Sequence, residues 1–223
     1  KVATTVRDLG IDATLGTRRS TPTSRVRVGK SFRRMAKIKV LCKFNKKAAK
    51  LLQTGARPQA TWGHQARGTP PSVLQTLRGK IAMAAGRKAG GCSSTALFLG
   101  VGQCGDPAFF LPIEVISNWL MLWKTNPEVR AGIGRVWKDS LSDLMGAKGM
   151  WLKVRGPLAA IQATLLDLGW HPKEVWMWTD PNGQEWALDP NDGSLWQDLR
   201  HELQKTITKQ VWTKGTTSGW GWR

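Results

Sequence analysis

SRVRVGKSFRRMAKIKVLCKFNKKAAKLLQTGARPQATWGHQARGTPPSVLQTLRGK, residues 24–80, decides how the rest of this chain is read. Val28, Phe32, Met35, Ile38 and Leu41 recur at spacings of three and four, which places them on one face of a helix beginning near Ser24. Arg27, Lys30, Arg33, Arg34, Lys37 and Lys39 fall on the other face. Asn45 is positioned to cap a second helix, Lys46 to Gln53, with Ala48, Leu51 and Leu52 inward and Gly55 ending it. Residues 56–68 show no period and form a connection around Trp62. Thr69 as N-cap and Pro70 at the first helical position then open a third helix, with Val73, Leu74, Leu77 and Ile81 on one side. The expected unit has three helices and one continuous basic surface.

Working outward, this stretch lies inside a longer acid-free segment. No Asp or Glu stands between Asp12 and Asp106. The first ninety residues carry 21 Lys and Arg against Asp8 and Asp12, a formal charge of +19, whereas the remaining 133 carry 13 bases and 13 acids. The whole excess charge of the chain therefore sits in one half. A surface that meets a polyanion has this electrostatic footprint, and the bases expected to contribute are Arg18, Arg19, Arg25, Arg27, Lys30, Arg33, Arg34, Lys37, Lys39, Lys43, Lys46, Lys47 and Lys50. The plainer alternative is a solvated basic face, as in ribosomal or histone-like proteins, and it too implies nucleic acid.

The two halves differ in aromatic content as well. Of 13 Trp, 12 lie between Trp119 and Trp222, and the chain has no Tyr. Cys42, Cys92 and Cys104 are too few and too far apart for a disulfide framework or a paired-cysteine zinc site, which points to a reducing intracellular compartment, nuclear or cytoplasmic. No run approaches eighteen apolar residues and the first residues have no apolar signal core, so no membrane association is expected and the chain reads as soluble. Starting at Lys1 and stopping at GWGWR, it reads as a segment of something longer.

Before the basic stretch, Lys1 to Ala13 suggests one or two short strands turning at Gly10, and residues 16–24 a basic loop. After it, residues 86–105 are rich in Gly, Ser and Ala and are expected to join the halves. Asp106–Pro107 and Asn126–Pro127 are helix starts, with Pro112 kinking or restarting the first. Val129, Ile133, Val136, Trp137, Leu141 and Leu144 trace the buried side of the second. Pro157 opens a helix through Leu158, Ile161, Leu165 and Leu168 that Gly169 closes. WMWT and QEWAL flank Asp180–Gly183 as a hairpin near 176–188, and Ser194 to Lys214 is the last helix. The fold class expected is mainly α: a basic helical thumb-like domain, 1–90, followed by a Trp-rich mainly helical domain with one hairpin, 91–223.

Chemistry has few candidates. Two-metal phosphoryl transfer needs clustered carboxylates, which the basic half lacks. Asp139 and Asp143 stand four apart on a helix, close enough to share an ion, but such a pair is more often a solvated helix face. Asp180, Asp189 and Asp192 read as turn residues. Gly100, Gly102 and Gly105 spell GxGxxG, yet a dinucleotide site needs the third Gly to open a helix inside a βαβ unit with an acid about twenty residues on; here Asp106 and Pro107 follow at once and no acid stands at that spacing. His64, His171 and His201 lack metal-ligand spacing. His64 sits with Trp62 and Gly63 in a structural turn, where Trp62 reads as a packing anchor and His64 as a hydrogen-bonding residue. Trp119, Trp123, Trp137 and Trp212 read as core. Trp176, Trp178 and Trp186 are either core or a base-stacking platform, with core favoured because a short hairpin must pack on something to persist.

The opening VRDLGI resembles the "KYLGI" strand that follows the palm of non-LTR retroelement (LINE-type) reverse transcriptases. GARPQATWGHQA is similar to their "YG-x-E/Q" turn, with Trp62 where most relatives have Tyr, and LQTLRGK resembles the helix after it. Order and spacing match over about residues 3–88, and VRGPLAAIQATLLDLGW with its Trp-rich hairpin resembles an extension in some protist retroelement polyproteins. The resemblance implies a thumb, C-terminal to the catalytic palm, that grips RNA, DNA or an RNA/DNA heteroduplex. It also implies a palm upstream in the same polypeptide that holds Mg²⁺, an RNA-directed DNA polymerase as parent, and no cofactor in this segment. No "F/YADD" aspartate pair occurs here, so no residue of the segment is expected to be catalytic and none to bind metal. The competing expectations are a free-standing basic RNA-binding or structural protein, and a metal-dependent nuclease using Asp139 and Asp143.

Overall fold

The structure, a computed structural model, describes residues 5–8, 11–14, 16–84, 94–101, 105–189 and 192–217. Helices dominate it, as the periodicity predicts, and two antiparallel hairpins complete it. The first hairpin pairs β1 (Thr5–Asp8) with β2 (Ile11–Thr14), and the expected turn at Gly10 lies outside the described residues. From β2, Asp12 accepts the backbone N–H groups of Thr23 and Ser24 at 3.2 and 3.1 Å. Helix α1 (Pro22–Phe44) therefore starts two residues before Ser24, with Pro22 in its first turn and a capping carboxylate from another element instead of a side-chain bond from Thr21.

The buried face of α1 is Ser31, Met35, Ile38 and Cys42. This is rotated from the expected stripe: Leu41 is exposed, and Val28 and Phe32 are half-buried. The rotation brings Ser31 against the following segment, where its hydroxyl donates to the Ala56 carbonyl at 2.6 Å. A small polar residue thus occupies the close approach, and a larger apolar one is displaced to either side. Asn45 caps the next turn as expected, accepting from Lys47 N–H at 2.9 Å.

Gly55 does not end the second helix. A 3₁₀ turn (Lys46–Ala49) leads into a wide π turn (Leu52–Ala56) and on into α2 (Arg57–Thr61). The wide turn accommodates Pro58, which has no N–H to donate. Gly55 lies under Arg34, whose Nη1 would be 3.3 Å from a Cβ there. Leu51, expected inward, is exposed, while Leu52 and Ala56 are buried.

Two left-handed glycines then bend the chain onto its neighbours. Gly63 (φ +74°) would place a Cβ 2.8 Å from Ile11 Cγ1, and Gly68 (φ +61°) would place one 2.7 Å from the Trp151 ring. Between them lies the short α3 (His64–Arg67), so residues 56–68 are largely helical rather than an irregular connection. Helix α4 (Pro71–Ala84) starts one residue later than expected, its first bond running from Leu74 N–H to Pro70 O at 2.9 Å. Leu77 and Ile81 are buried and Val73 is exposed.

Part of the expected joint is helical: α5 (Ser94–Val101) carries the buried Phe98. Residues 96–99, the apolar run before the GxGxxG match, are thus helical, and Gly102, like Gly90, Gly91, Cys92 and Cys104, lies outside the described residues. Helix α6 (Pro107–Thr125) runs on through Pro112, with Asp106 accepting the Ala108 N–H at 2.9 Å as its cap. Phe98 and Leu111 share a core with Met35, Ile38, Leu77 and Ile81, so the first helices are packed with residues from both sides of position 90. Arg78 on α4 reinforces this junction. Its Nε and Nη2 donate to the two oxygens of Asp106 at 2.7 and 2.6 Å, with both side chains buried, and Nη2 also reaches Thr95 Oγ1 at 3.3 Å.

The second core gathers α6, α7 (Pro127–Met145), α8 (Pro157–Asp167), the hairpin β3 (Met177–Thr179) with β4 (Glu185–Ala187), and α9 (Gly193–Thr217). On α7, Trp137, Leu141 and Leu144 are buried and Ile133 is half-buried. Val136 faces out, and the Val129 side chain lies outside the described residues. The tryptophans are core: Trp119, Trp123, Trp137, Trp170 and the cross-strand pair Trp178–Trp186 are buried together. Trp176 is partly exposed and stacks on Trp123, their centroids 6.4 Å apart. The Trp212 side chain lies outside the described residues. Asp180 makes the turn, its carboxylate accepting from Asn182 and Gln184 N–H at 2.8 and 2.9 Å. Asp192 starts α9 by accepting from the N–H groups of Ser194 and Leu195.

Candidate nucleic-acid interface

Because its apolar stripe is narrow, α1 leaves most of its circumference in solvent, and bases fill it. Arg25, Lys30, Arg33, Arg34, Lys37, Lys39 and Lys43 are all exposed, and Lys30, Arg33, Arg34 and Lys37 share one face at positions i, i+3, i+4 and i+7. Lys46, Lys47 and Lys50, also exposed, continue the surface past Asn45, and Arg18 is exposed before the helix begins. Among the described residues no carboxylate lies within 4 Å of any of these cations. The second half is different. There Lys138 pairs with Glu174, Arg155 with Asp143, Lys173 with Glu185 and Lys205 with Glu202. Phe44 is 85% exposed at the end of α1, between Lys43 and Lys46.

Two of the thirteen nominated bases do not stand free in solvent. Arg19 turns inward, donating from Nη1 to the Arg67 carbonyl at 2.7 Å and from Nη2 to that of Gly68 at 3.2 Å, with its guanidinium over the Trp151 ring. Burial, helped by the neighbouring Arg67 charge, pulls its pKa down to about 10. Arg19 therefore fastens the loop before α1 to α3. Arg27 is half-buried and lies over the Trp62 ring, its carbon 5.6 Å from the centroid.

Trp62 is not a packing anchor. It is 54% exposed, at the mouth of a cleft of about 600 Å³ between α1 and the α2–α3–α4 turn. The sequence has no signal for this, since an aromatic in a Gly-flanked turn fits either role. His64 is buried in the same turn, as a hydrogen-bonding residue should be. Its Nδ1 is 2.7 Å from the Thr61 carbonyl oxygen and its Nε2 is 2.9 Å from Glu114 on α6.

Sequence reading missed Arg67 altogether. It is 7% exposed on the cleft wall, donating from Nη2 to the Trp62 carbonyl at 3.3 Å and standing 3.6 Å from Asp12. Burial lowers its pKa, the Asp12 charge counters that, and Arg27 adds to the lowering. For Asp12, burial acts upward, but the hydrogen bonds from Thr23 and Ser24 and the Arg67 charge outweigh it, so its carboxyl titrates below the ordinary 3.8. No residue type at a fixed spacing foretells this pair, because the two are 55 positions apart.

Asp139 and Asp143 are both exposed on α7, with Asp143 3.7 Å from Arg155. Among the described residues no three His, Cys, Asp or Glu side chains converge in a metal-binding group, and no helix is long and apolar enough to cross a membrane. Comparison with protein-family models, with curated proteins and with solved structures finds no match to this chain.

Proposed function

We propose that the chain binds nucleic acid along α1 and the turn after it, gripping the phosphates of an RNA, DNA or RNA/DNA duplex in the manner of a reverse-transcriptase thumb. The observation that carries this is the contrast in pairing. Among the described residues, the exposed bases of α1 and the turn after it have no carboxylate within 4 Å, whereas Lys138, Arg155, Lys173 and Lys205 of the second half each have one. Unpaired cations held on a rigid helix release counterions on meeting a polyanion and give affinity without sequence choice. The retroelement origin rests on the resemblance of residues 3–88, and the catalytic palm it implies is an upstream part of the same polypeptide.

A direct test is titration of the chain with a fluorescent RNA/DNA heteroduplex across a series of salt concentrations. Neutralisation of about six phosphates gives a log–log slope of about −4 to −5, with little change between unrelated sequences. A slope near zero rejects the proposal.

A further inference from the structure

The cleft beside Trp62 holds hydrogen-bond donors without acceptors. Arg67 forms one of its walls and is more than nine-tenths buried, yet its Nε and Nη1 have no hydrogen-bond acceptor. Nη1 of Arg27, over the Trp62 ring, is likewise buried without one. A buried polar donor without a partner is costly, more so if charged, so these three need an explanation. Among the described residues Asp12 is the one carboxylate within 4 Å of Arg67, and it already accepts two backbone N–H groups of α1. Arg67 thus faces one acid that is largely committed elsewhere, and the Arg19 and Arg27 side chains lie near Arg67.

The walls also carry planar apolar surface. Phe32, Trp62 and Trp151 line the cleft, with Ser24, Arg25 and Ser72 adding polar groups. Its volume of about 600 Å³ falls within the range of about 300 to 1,000 Å³ usual for small-molecule sites. Orphaned guanidinium donors next to a half-exposed aromatic suit a ligand with an anionic group and a flat ring a few bonds away.

We propose that this cleft binds one nucleotide unit, its unpaired base stacked on Trp62 and its phosphate held by Arg67 on the wall, with Arg27, next to the Trp62 ring, as a second donor. The unit is either a free mononucleotide or an unpaired residue of a strand lying on α1, and only the second source rests on the grip proposed above. Phosphate supplies the acceptors that the guanidinium donors lack, and base-on-indole stacking tolerates any base.

The test is calorimetric titration of the full chain with 5′-AMP, adenosine and inorganic phosphate, and with a heteroduplex carrying or lacking one bulged nucleotide. AMP should saturate at one site and bind at least about fivefold tighter than phosphate or adenosine, as stacking of one base implies. Trp62→Ala should reduce AMP binding to the level of phosphate, and Arg27→Gln should reduce it toward that of adenosine. Both positions have solvent-facing surface, so these variants keep the test valid even if Arg67→Gln fails to fold. AMP binding no tighter than phosphate, or unchanged in Trp62→Ala, overturns the proposal. If AMP binds and the bulge adds no affinity, the site takes free nucleotides. If the bulge tightens binding about fivefold or more and Trp62→Ala removes that gain, it takes strand nucleotides. Replacing Lys30, Arg33, Arg34 and Lys37 by Gln should weaken duplex binding and leave AMP binding intact, so a failed grip and a failed cleft give different results.

Discussion

Asp106→Asn isolates what holds the basic helices to the rest of the chain. The substitution keeps the shape of the side chain and a residue suited to capping α6, but it removes the charge that two guanidinium nitrogens of Arg78, Nε and Nη2, meet at 2.6 to 2.7 Å. Arg78 is left as a cation about 1% exposed, among Leu77, Ile81 and Phe98. Breaking a buried pair from one side costs about 3 to 5 kcal/mol, a large fraction of the roughly 5 to 15 kcal/mol that keeps a domain folded. In a chain of this size, each kcal/mol lowers Tm by about 2 to 4 °C, so a fall of about 6 to 20 °C is expected. Urea unfolding followed by far-ultraviolet circular dichroism measures the loss directly. Adding Arg78→Met should restore most of it, because no charge then remains buried. A loss below about 1 kcal/mol in Asp106→Asn, or no recovery in the double variant, refutes the reasoning.

Other substitutions test the remaining joints. Gly63→Ala should destabilise by about 1 to 2 kcal/mol from the left-handed backbone alone, and by more because its Cβ must displace Ile11; a thermal melt unchanged from the parent would contradict this. Asp12 is deprotonated more readily folded than unfolded. Its stabilisation is therefore full above its ordinary 3.8 and is lost as pH falls through the lower folded value. Asp12→Asn should cost about 1 to 3 kcal/mol at neutral pH and flatten the decline in stability below about pH 4, as read by denaturation at a series of pH values. Asp139→Asn should leave any trace of Mg²⁺-dependent nuclease activity unchanged, since its carboxylate has no partner set among the described residues.

Element starts were the most legible part of the fold. Asp106–Pro107, Asn126–Pro127 and Pro157 each combine a cap position or a tight turn with a proline that fits the first helical turn, and α6, α7 and α8 begin there. The hairpin about Asp180–Gly183 is written in local turn chemistry, and burial of its paired tryptophans follows from the need of a two-stranded ribbon to pack on something. What sequence could not supply was set by distant partners. The phase of α1 depends on where Ala56 approaches Ser31, which turns Leu41 outward and Cys42 inward. Gly55 looks like a stop but lies under Arg34 in a turn that continues. The basic face was legible as charge, yet Arg19 and Arg67 could not be sorted from the exposed bases. Their roles come from carbonyls and a carboxylate tens of residues away.

The central claim is that the unpaired bases of α1, and not the charge of the chain at large, hold the nucleic acid. Its most direct test compares the salt dependence of heteroduplex binding for two charge-neutralised proteins. One carries Lys30, Arg33, Arg34 and Lys37 as Gln, and the other Lys138, Lys173 and Lys205. The first should flatten the log–log slope by up to about 0.9 for each base that meets a phosphate of a B-form duplex, at most about 3.6 in all. The second should leave it nearly unchanged, because those lysines already face Glu174, Glu185 and Glu202. A larger change in the second protein than in the first would place the nucleic acid on the Trp-rich half and contradict the account.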